Sequence, residues 1–498
     1  YTWKISFDMD YFQLLCGISV ILLAIYYHYS SCYNFWKSRN IPGPKPIIFI
    51  GNFLDVLLKR ESLADWTKRL YNQYKNEPAF GIYIGTSPLL VPNNLDMIKD
   101  VLIRDFSLFA ARGFKVFDEK IEPLNQNLIM LEPERWRPLR AKLSPVFTSG
   151  KLKEMFPLIM ECAEKLEKHL EKLAQKDEPV ECRELIAKFG IDSIGSCVFG
   201  LNMSALDNEN SEFLRMSKKI FAVNMKQTIC DFCREFTPSL YKIIGSYLQP
   251  KEVNNFFLNL FIDTMKYRKD NNIIRPDFVH LLMELKNHPD RVNNIADIAI
   301  FFAFFIGGFE TTSLTMAHSL YELAQNQEIQ DKLRQEIRDV YDENNGVLTY
   351  ADINGMKYLD KVLKETLRKY PPLPILNRQA LENYTFKDTK ISIPKGTNIC
   401  ISIYGIQNDP NVYPNPEKFD PERFNGDAVA ARHSMSYLSF GDGPRNCIGS
   451  RFAQYQSKVG LVTILRNHKV NVCEKTKIPY ENDNLVHGPR YDCVRNHY

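Results

Sequence analysis

After residue 50 the chain has no glycine- or serine-rich linker, no low-complexity tract and no fixed-period repeat. That argues against a string of tethered modules. A chain of 498 residues, 45% hydrophobic and 24% charged, is long enough to bury one large core. An excess of charge of one sign is also missing. The net charge of +4, with basic residues scattered among acidic ones, leaves no electrostatic footprint for nucleic acid. Nor is there a cysteine framework. Eleven cysteines, an odd number without regular spacing, suit a reducing compartment better than a disulfide scaffold. Cys230 and Cys233 form a lone C-x-x-C. With no second ligand pair nearby, they read as two unrelated cysteines on a helix rather than a zinc site.

One stretch lacks charge altogether. Residues 11–36 contain no Asp, Glu, Lys or Arg, and a spanning helix needs roughly 20 apolar residues at about 1.5 Å rise each. Ile18, Val20, Ile21, Leu22, Leu23 and Ile25 form its centre, and Tyr26, Tyr27, Tyr29, Tyr33 and Trp36 crowd its far end like an interfacial aromatic belt. Asp8 and Asp10 precede the run, while Lys37, Arg39 and Lys45 follow it. The positive-inside rule therefore puts the amino terminus in the lumen and the bulk of the chain in the cytosol. No small-x-small cleavage site follows, so residues 1–40 are expected to be an uncleaved anchor rather than a signal peptide. Met9 stands where such an anchor starts, which sets residues 1–8 apart as candidate non-native sequence. Pro42, Pro44 and Pro46 fix φ and remove backbone donors. They predict a stiff hinge over 41–50, ahead of a catalytic domain over 51–498.

Beyond the hinge, apolar residues recur at helical spacing over 152–175, 294–326 and 328–341. Strands are expected in two places. One is a hairpin over 79–91 around Gly85 and a Thr86-Ser87-Pro88 turn; the other is an alternating run over 384–403 with a turn at Pro394-Lys395-Gly396. The fold class is therefore mainly α with small β-sheets.

The most informative segment is Phe440-Gly441-Asp442-Gly443-Pro444-Arg445-Asn446-Cys447-Ile448-Gly449, which satisfies F-x-x-G-x-R-x-C-x-G at every fixed position. Glycines let a backbone bend close to a ligand. A cysteine shielded by backbone N–H donors is a thiolate metal ligand, and a proximal thiolate pushes electron density onto haem iron. A buried structural cysteine in a glycine-rich turn is the bland alternative, and five fixed residue types in so short a window argue against it. The segment resembles the haem-binding loop of the cytochrome P450 family. The resemblance implies the cytochrome P450 fold behind a single transmembrane anchor helix, with haem b as cofactor. In it, Cys447 is the axial ligand to iron, Phe440 packs under the porphyrin, Arg445 meets a propionate, and Gly441, Gly443 and Gly449 avoid Cβ clashes near the ligand.

Other segments follow the family's order. Glu365-Thr366-Leu367-Arg368 is an E-x-x-R whose i, i+3 spacing puts both ends on one helix face. Downstream, Pro416-Glu417-Lys418-Phe419-Asp420-Pro421-Glu422-Arg423-Phe424 resembles P-x-x-F-x-P-E-R-F. Together they imply a structural triad of Glu365, Arg368 and Arg423 behind the haem loop. Gly307-Gly308-Phe309-Glu310-Thr311-Thr312 resembles [AG]-G-x-[DE]-T-[TS]. Two glycines in mid-helix cost about 1 kcal/mol each. Close helix packing explains them, and so does room for dioxygen and substrate. The resemblance implies the second, with Glu310 and Thr311 as an acid–alcohol pair that relays protons. Trp136 and Arg140 match W-x-x-x-R and, with Arg378 and Arg112, are implied as propionate partners. Pocket walls are implied over 109–117, over 301–305 (Phe304 among them) and over 373–376, with Leu373 and Ile375.

The motif order holds from the anchor to about residue 475, and the chain most resembles insect microsomal members of the clan that includes vertebrate drug-metabolising enzymes. It departs in two places. Gln407 stands where H-x-D-P has histidine, although Asp409 and Pro410 remain, and residues 477–498 lack the usual glycine-containing apolar hairpin that lines the pocket. The implied reaction inserts one atom of dioxygen into a lipophilic substrate, a xenobiotic or an endogenous lipid or hormone, and releases the other as water. NADPH serves only indirectly, through NADPH–cytochrome P450 reductase, with cytochrome b5 as a further candidate partner. Arg135, Arg137, Lys142 and Arg451 are candidate docking charges. The implied location is the endoplasmic reticulum membrane, with the catalytic domain on the cytosolic face. Two other readings stay open. One is a haem-thiolate peroxide isomerase or dehydratase without a reductase, against which the intact Glu310-Thr311 pair speaks. The other is a haem-binding protein of low turnover, its pocket spoiled by the altered carboxyl terminus.

Overall fold

The computed structural model describes residues 2–176, 179–208, 211–221, 225–275, 277–280, 283 and 294–478, with backbone alone for 2–10, 221 and 294–301. The tail over 479–498, and with it most of the carboxyl-terminal departure noted above, lies outside the described residues. Two compact units form, one from Tyr1–Gly113 with Ile375–Gly405 and the other from Phe114–Pro374 with Ile406–Tyr498.

The first unit opens with a helix over Thr2–Tyr33. The stretch Tyr11–Arg39 is long and apolar enough to cross a membrane, and its most apolar window is wholly unburied. A turn of 3-10 helix at Lys37–Arg39 closes it, with Asn40 left-handed at φ 55°. The proline-rich segment beyond is clamped to a strand. Trp36 packs on Gly81, where any Cβ would sit 2.3 Å from the indole, and its Nε1 donates to the Ile82 carbonyl at 3.0 Å. The Gly81 N–H donates to the Pro42 carbonyl at 2.8 Å. The Tyr83 hydroxyl donates to the Tyr33 carbonyl at 3.0 Å, and the Tyr33 hydroxyl to that of Ile47 at 2.9 Å.

Six short strands follow in this unit: β1 (Ala79–Ile84), β2 (Ser87–Pro92), β3 (Ile375–Gln379), β4 (Tyr384–Thr385), β5 (Ser392–Ile393) and β6 (Asn398–Ser402). The main sheet runs β1-β2-β6-β3, and β4 pairs with β5. β1 and β2 are antiparallel in the register Phe80↔Val91, with Ser87 and Pro88 already opposite Ile84 and Tyr83. The turn is thus Gly85-Thr86, earlier than the sequence pattern suggested, because Gly85 takes the left-handed position at φ 59°. Alternate residues Phe80, Ile82, Leu89 and Val91 face one side, where they pack with Trp66, Leu70 and Cys400. Each large side chain so buried contributes about 1.5–3 kcal/mol. Trp66 and Leu70 come from the helix Leu63–Gln73, started by Ser62, whose side chain accepts the Asp65 N–H. Phe109, expected at a pocket wall, is fully buried instead. Its ring lies 4.8 Å from that of Tyr384 and 6.3 Å from that of Phe386.

The second unit is helical. Its long helix Asn294–Gln325 packs along Cys182–Ile194 and Ser450–Asn467. Around it stand Ser149–Ala174, Gln327–Glu343 and Lys357–Lys369. Each helix read from periodicity starts and ends within a few residues of its expected place. Phe305 sits at 0% exposure among Phe199, Phe213 and Phe257, at centroid distances of 6.1, 5.1 and 5.2 Å. It therefore holds the long helix in the core rather than lining a pocket. Cys230 and Cys233 both lie on the helix Met225–Phe236.

Candidate active site

Residues 438–449 form a tight loop that carries Cys447 to the start of the helix Ser450–Asn467. Gly441 and Gly443 are left-handed, with φ of 66° and 73°, a region that L side chains avoid. The Gly441 N–H donates to the Leu438 carbonyl at 2.8 Å, the Asn446 N–H to that of Gly443 at 3.1 Å, and the Cys447 N–H to that of Phe440 at 2.8 Å. Cys447 itself is exposed. The N-terminus of the helix Ser450–Asn467, with its partial positive charge, lies close behind it. Gly449 departs from expectation. Its φ is −88°, it serves as the N-cap, and a Cβ there would meet only Phe147 at an ordinary 3.7 Å. Among the described residues, neither backbone nor packing requires a glycine at that position.

The helix Pro133–Leu143 supplies side chains to this loop. Arg445 is buried with its guanidinium 4.5 Å from the centre of the Trp136 ring, and its Nη2 donates to the Leu131 carbonyl at 2.5 Å. Arg140 donates from Nη1 to the Asn446 carbonyl at 3.0 Å and from Nη2 to Asn446 Oδ1 at 2.8 Å. Both arginines implied as propionate partners therefore also hold the loop, a role the motif does not announce. Burial lowers the pKa of Arg140.

Behind the loop the triad is assembled, unequally. Arg368 forks onto Glu365, Nε to Oε2 at 2.7 Å and Nη2 to Oε1 at 3.0 Å, both side chains at 0% exposure. Arg423 lies with Nε 3.4 Å from Glu365 Oε1, close enough for charge attraction but without hydrogen-bond geometry. Its Nη2 donates to the Asn415 carbonyl at 2.8 Å. Burial raises the pKa of Glu365, and Arg368 is the main influence pulling it back.

On the long helix, the two glycines have different neighbours. A Cβ at Gly308 would sit 2.6 Å from Ile194 Cδ1, whereas one at Gly307 would meet nothing within 4 Å among the described residues. Close packing explains Gly308, and open space adjoins Gly307. Thr311 donates its hydroxyl to the Gly307 carbonyl at 2.5 Å. Glu310 is buried and paired instead with Arg183 of the helix Cys182–Ile194, Oε1 to Nη2 at 2.7 Å. Acid and alcohol are thus each committed to another partner. Burial raises the pKa of Glu310, opposed by Arg183. Phe304 is half-buried, its ring 5.2 Å from Phe147 and 5.1 Å from Phe278, and Leu373 is exposed.

Three candidate residues belong to the first unit. Arg378, on β3, is 1% exposed. Its Nη1 donates to the Asn377 carbonyl at 2.8 Å, while Nε and Nη2 have no partner among the described residues. Burial first, then the neighbouring Arg112 charge, brings its pKa down to about 9. A buried guanidinium with orphaned N–H groups calls for an anion. Arg112 and Ile375 are half-buried in the same unit.

The family model described as Cytochrome P450 matches residues 41–492. The chain belongs to the cytochrome P450 family. Among its P450 relatives, cytochrome P450 6A1 of Musca domestica is 40% identical over 483 residues, covering 94% of each chain. Cytochrome P450 6B1 of Papilio polyxenes is 38% identical over 485 residues, 94% of this chain and 96% of its own. Cytochrome P450 6a2 of Drosophila melanogaster is 40% identical over 484 residues, 94% of each. A P450 is a haem-thiolate monooxygenase whose electrons come from a reductase, and that is the activity class of this chain. The isomerase or dehydratase alternative is not favoured. Within each unit the residues suit haem: in the second, an exposed cysteine on a glycine-bent loop, and in the first, a buried arginine whose orphaned donors call for an anion.

Proposed function

We propose that Cys447 holds the haem iron of a membrane-anchored P450 that oxidises lipophilic small molecules. The observation that carries this reading is the loop itself: Cys447 exposed, its N–H tied to the Phe440 carbonyl, and the helix Ser450–Asn467 starting just beyond. When bound, haem supplies the redox centre at which dioxygen is activated and one oxygen atom is inserted into substrate. Phe440 would pack beneath the porphyrin. Arg445, Arg140 and Trp136, with Arg378 and Arg112 on the family's pattern, would meet its propionates. Glu365, Arg368 and Arg423 would keep the loop in place.

Glu310 and Thr311 would move protons. Burial raises the pKa of Glu310, which makes it a readier proton carrier than an exposed acid, and the Arg183 charge opposes that shift. To pass a proton, Glu310 would release Arg183 and approach the Thr311 hydroxyl. The open side of Gly307 would leave room for dioxygen and substrate, and on the family's pattern Phe304, Leu373 and Ile375 would supply apolar walls. A bulky, uncharged substrate suits such walls.

Arg135, Arg137, Lys142 and Arg451 are all exposed. They would dock an acidic face of NADPH–cytochrome P450 reductase, or of cytochrome b5. The chain would divide into an anchor over 1–40, a hinge over 41–50 and a catalytic portion over 51–498; a family match that begins at residue 41 supports setting the anchor apart. Lys37, Arg39 and Lys45 beyond the apolar helix favour the orientation with the catalytic portion in the cytosol, and on the family's pattern the membrane would be that of the endoplasmic reticulum. The test is reconstitution with the reductase and a panel of lipophilic compounds. Product that requires NADPH, dioxygen and reductase together supports the reading. Turnover of peroxides with no reductase, and none with it, contradicts it.

A further inference from the structure

Gln407 occupies the position where the family's H-x-D-P carries histidine, and it is completely buried. Both N–H groups and the oxygen of its amide have partners. Nε2 donates to the carbonyls of Leu367 and Arg368, each at 3.0 Å. Oε1 accepts the Leu438 N–H at 2.8 Å and lies 3.1 Å from the Ser439 hydroxyl. That hydroxyl, with one proton to give, also reaches the Leu367 carbonyl at 3.0 Å. The main-chain carbonyl of Gln407 in turn accepts Arg368 Nη1 at 2.9 Å.

One side chain thus ties two distant parts of the second unit together. On one side are the last carbonyls of the helix Lys357–Lys369, which have no helical partner. On the other are the residues that open the loop ending in Cys447, where the Leu438 carbonyl accepts the Gly441 N–H. An amide has two N–H donors and an oxygen with two lone pairs, whereas a neutral imidazole has one donor and one acceptor. Histidine at this position makes half of these bonds at most.

We propose that Gln407 is a positioning residue for the thiolate. Through Leu438 and Ser439 it sets where the loop presents Cys447, and it couples that placement to the Glu365–Arg368 pair. The inference rests on the reading of Cys447 as the haem ligand. Without the amide, the Leu438 N–H and the Arg368 carbonyl lose a partner in a dry interior, and the loop regains partners only by moving.

Gln407→Met keeps the length of the side chain and removes its hydrogen bonds. Three quantities are measured: the thermal midpoint, the ratio of thiolate-ligated to thiolate-lost Soret absorbance in the ferrous carbon monoxide complex, and the rate of haem transfer to excess apo-globin. We expect a folded variant in which the ratio falls and haem transfer quickens, each by about tenfold, the scale of one unsatisfied buried donor. Gln407→His should fall between the variant and the wild type. A purely structural loss lowers the midpoint and leaves the ratio of the folded protein unchanged. A folded Gln407→Met with wild-type ratio and transfer rate overturns the proposal. Should Gln407→Met not fold, Gln407→His decides by the same readouts: equality with wild type overturns, a shift toward thiolate loss supports. A wild type without the thiolate band, or Cys447→Ala that keeps it, overturns the Cys447 assignment itself and the role of Gln407 with it.

Discussion

Arg183 and Glu310 stand on separate helices and meet at 2.7 Å, the carboxylate 7% and the guanidinium 21% exposed. The acid is therefore the more deeply buried partner, and its charge depends on the arginine. Burial raises the pKa of Glu310 above its ordinary value, and Arg183 lowers it again. A carboxyl whose folded pKa lies above its unfolded value favours the fold at low pH, an advantage lost as pH rises through the folded pKa. Arg183→Met lifts that pKa further. Its thermal stability should match wild type near about pH 4 and fall behind toward neutrality, by about 3 kcal/mol, the low end for a broken buried pair. A difference that does not change with pH contradicts this.

The two mid-helix glycines should respond in opposite directions. Gly307→Ala places a methyl group in open space and should stabilise the helix by about 1 kcal/mol, while slowing turnover by narrowing the space beside Thr311. Gly308→Ala pushes against the Ile194 side chain and should cost about 1–3 kcal/mol. Thermal unfolding of both variants, with turnover measured alongside, checks the pair. Equal shifts in stability would count against the assignment.

Glu365 is the acceptor on which Arg368 and Arg423 converge. Glu365→Ala leaves Arg368 buried without its carboxylate, at a cost of about 3–5 kcal/mol. The variant should yield protein without haem, read as the ratio of haem to protein after purification. A soluble, fully loaded Glu365→Ala would remove the triad from the account.

Much of this was legible in the sequence, for identifiable reasons. The thiolate loop is contiguous, and the large helices announce themselves by apolar spacing because each buries one face. Relationships across the fold were not legible. Arg183 lies 127 positions from Glu310, and a lone arginine in a helix carries no local mark of its partner. The family resemblance implied pocket walls over ranges that include Phe109 and Phe305, yet which face of an element turns inward is decided by packing, and both are buried. Gln407 read only as a departure, since its partners at 367–368 and 438–439 are far away in the chain.

Arg378 gives a prediction with two signs. Its buried guanidinium keeps two nitrogens unpartnered among the described residues, so Arg378→Met should raise the thermal stability of haem-free protein by about 1–3 kcal/mol. If it holds a propionate, the same change should speed haem loss to apo-globin. Faster haem loss with a more stable haem-free protein supports the role. Unchanged haem loss contradicts it.

The central claim is that Cys447 ligates the haem iron as a thiolate. Its most direct test is the carbon monoxide difference spectrum of dithionite-reduced membranes carrying the chain, beside a Cys447→Ala control. A long-wavelength Soret band in the wild type and none in the control is the predicted result. The band's absence from expressed, membrane-bound wild type, or its persistence in Cys447→Ala, would contradict the account.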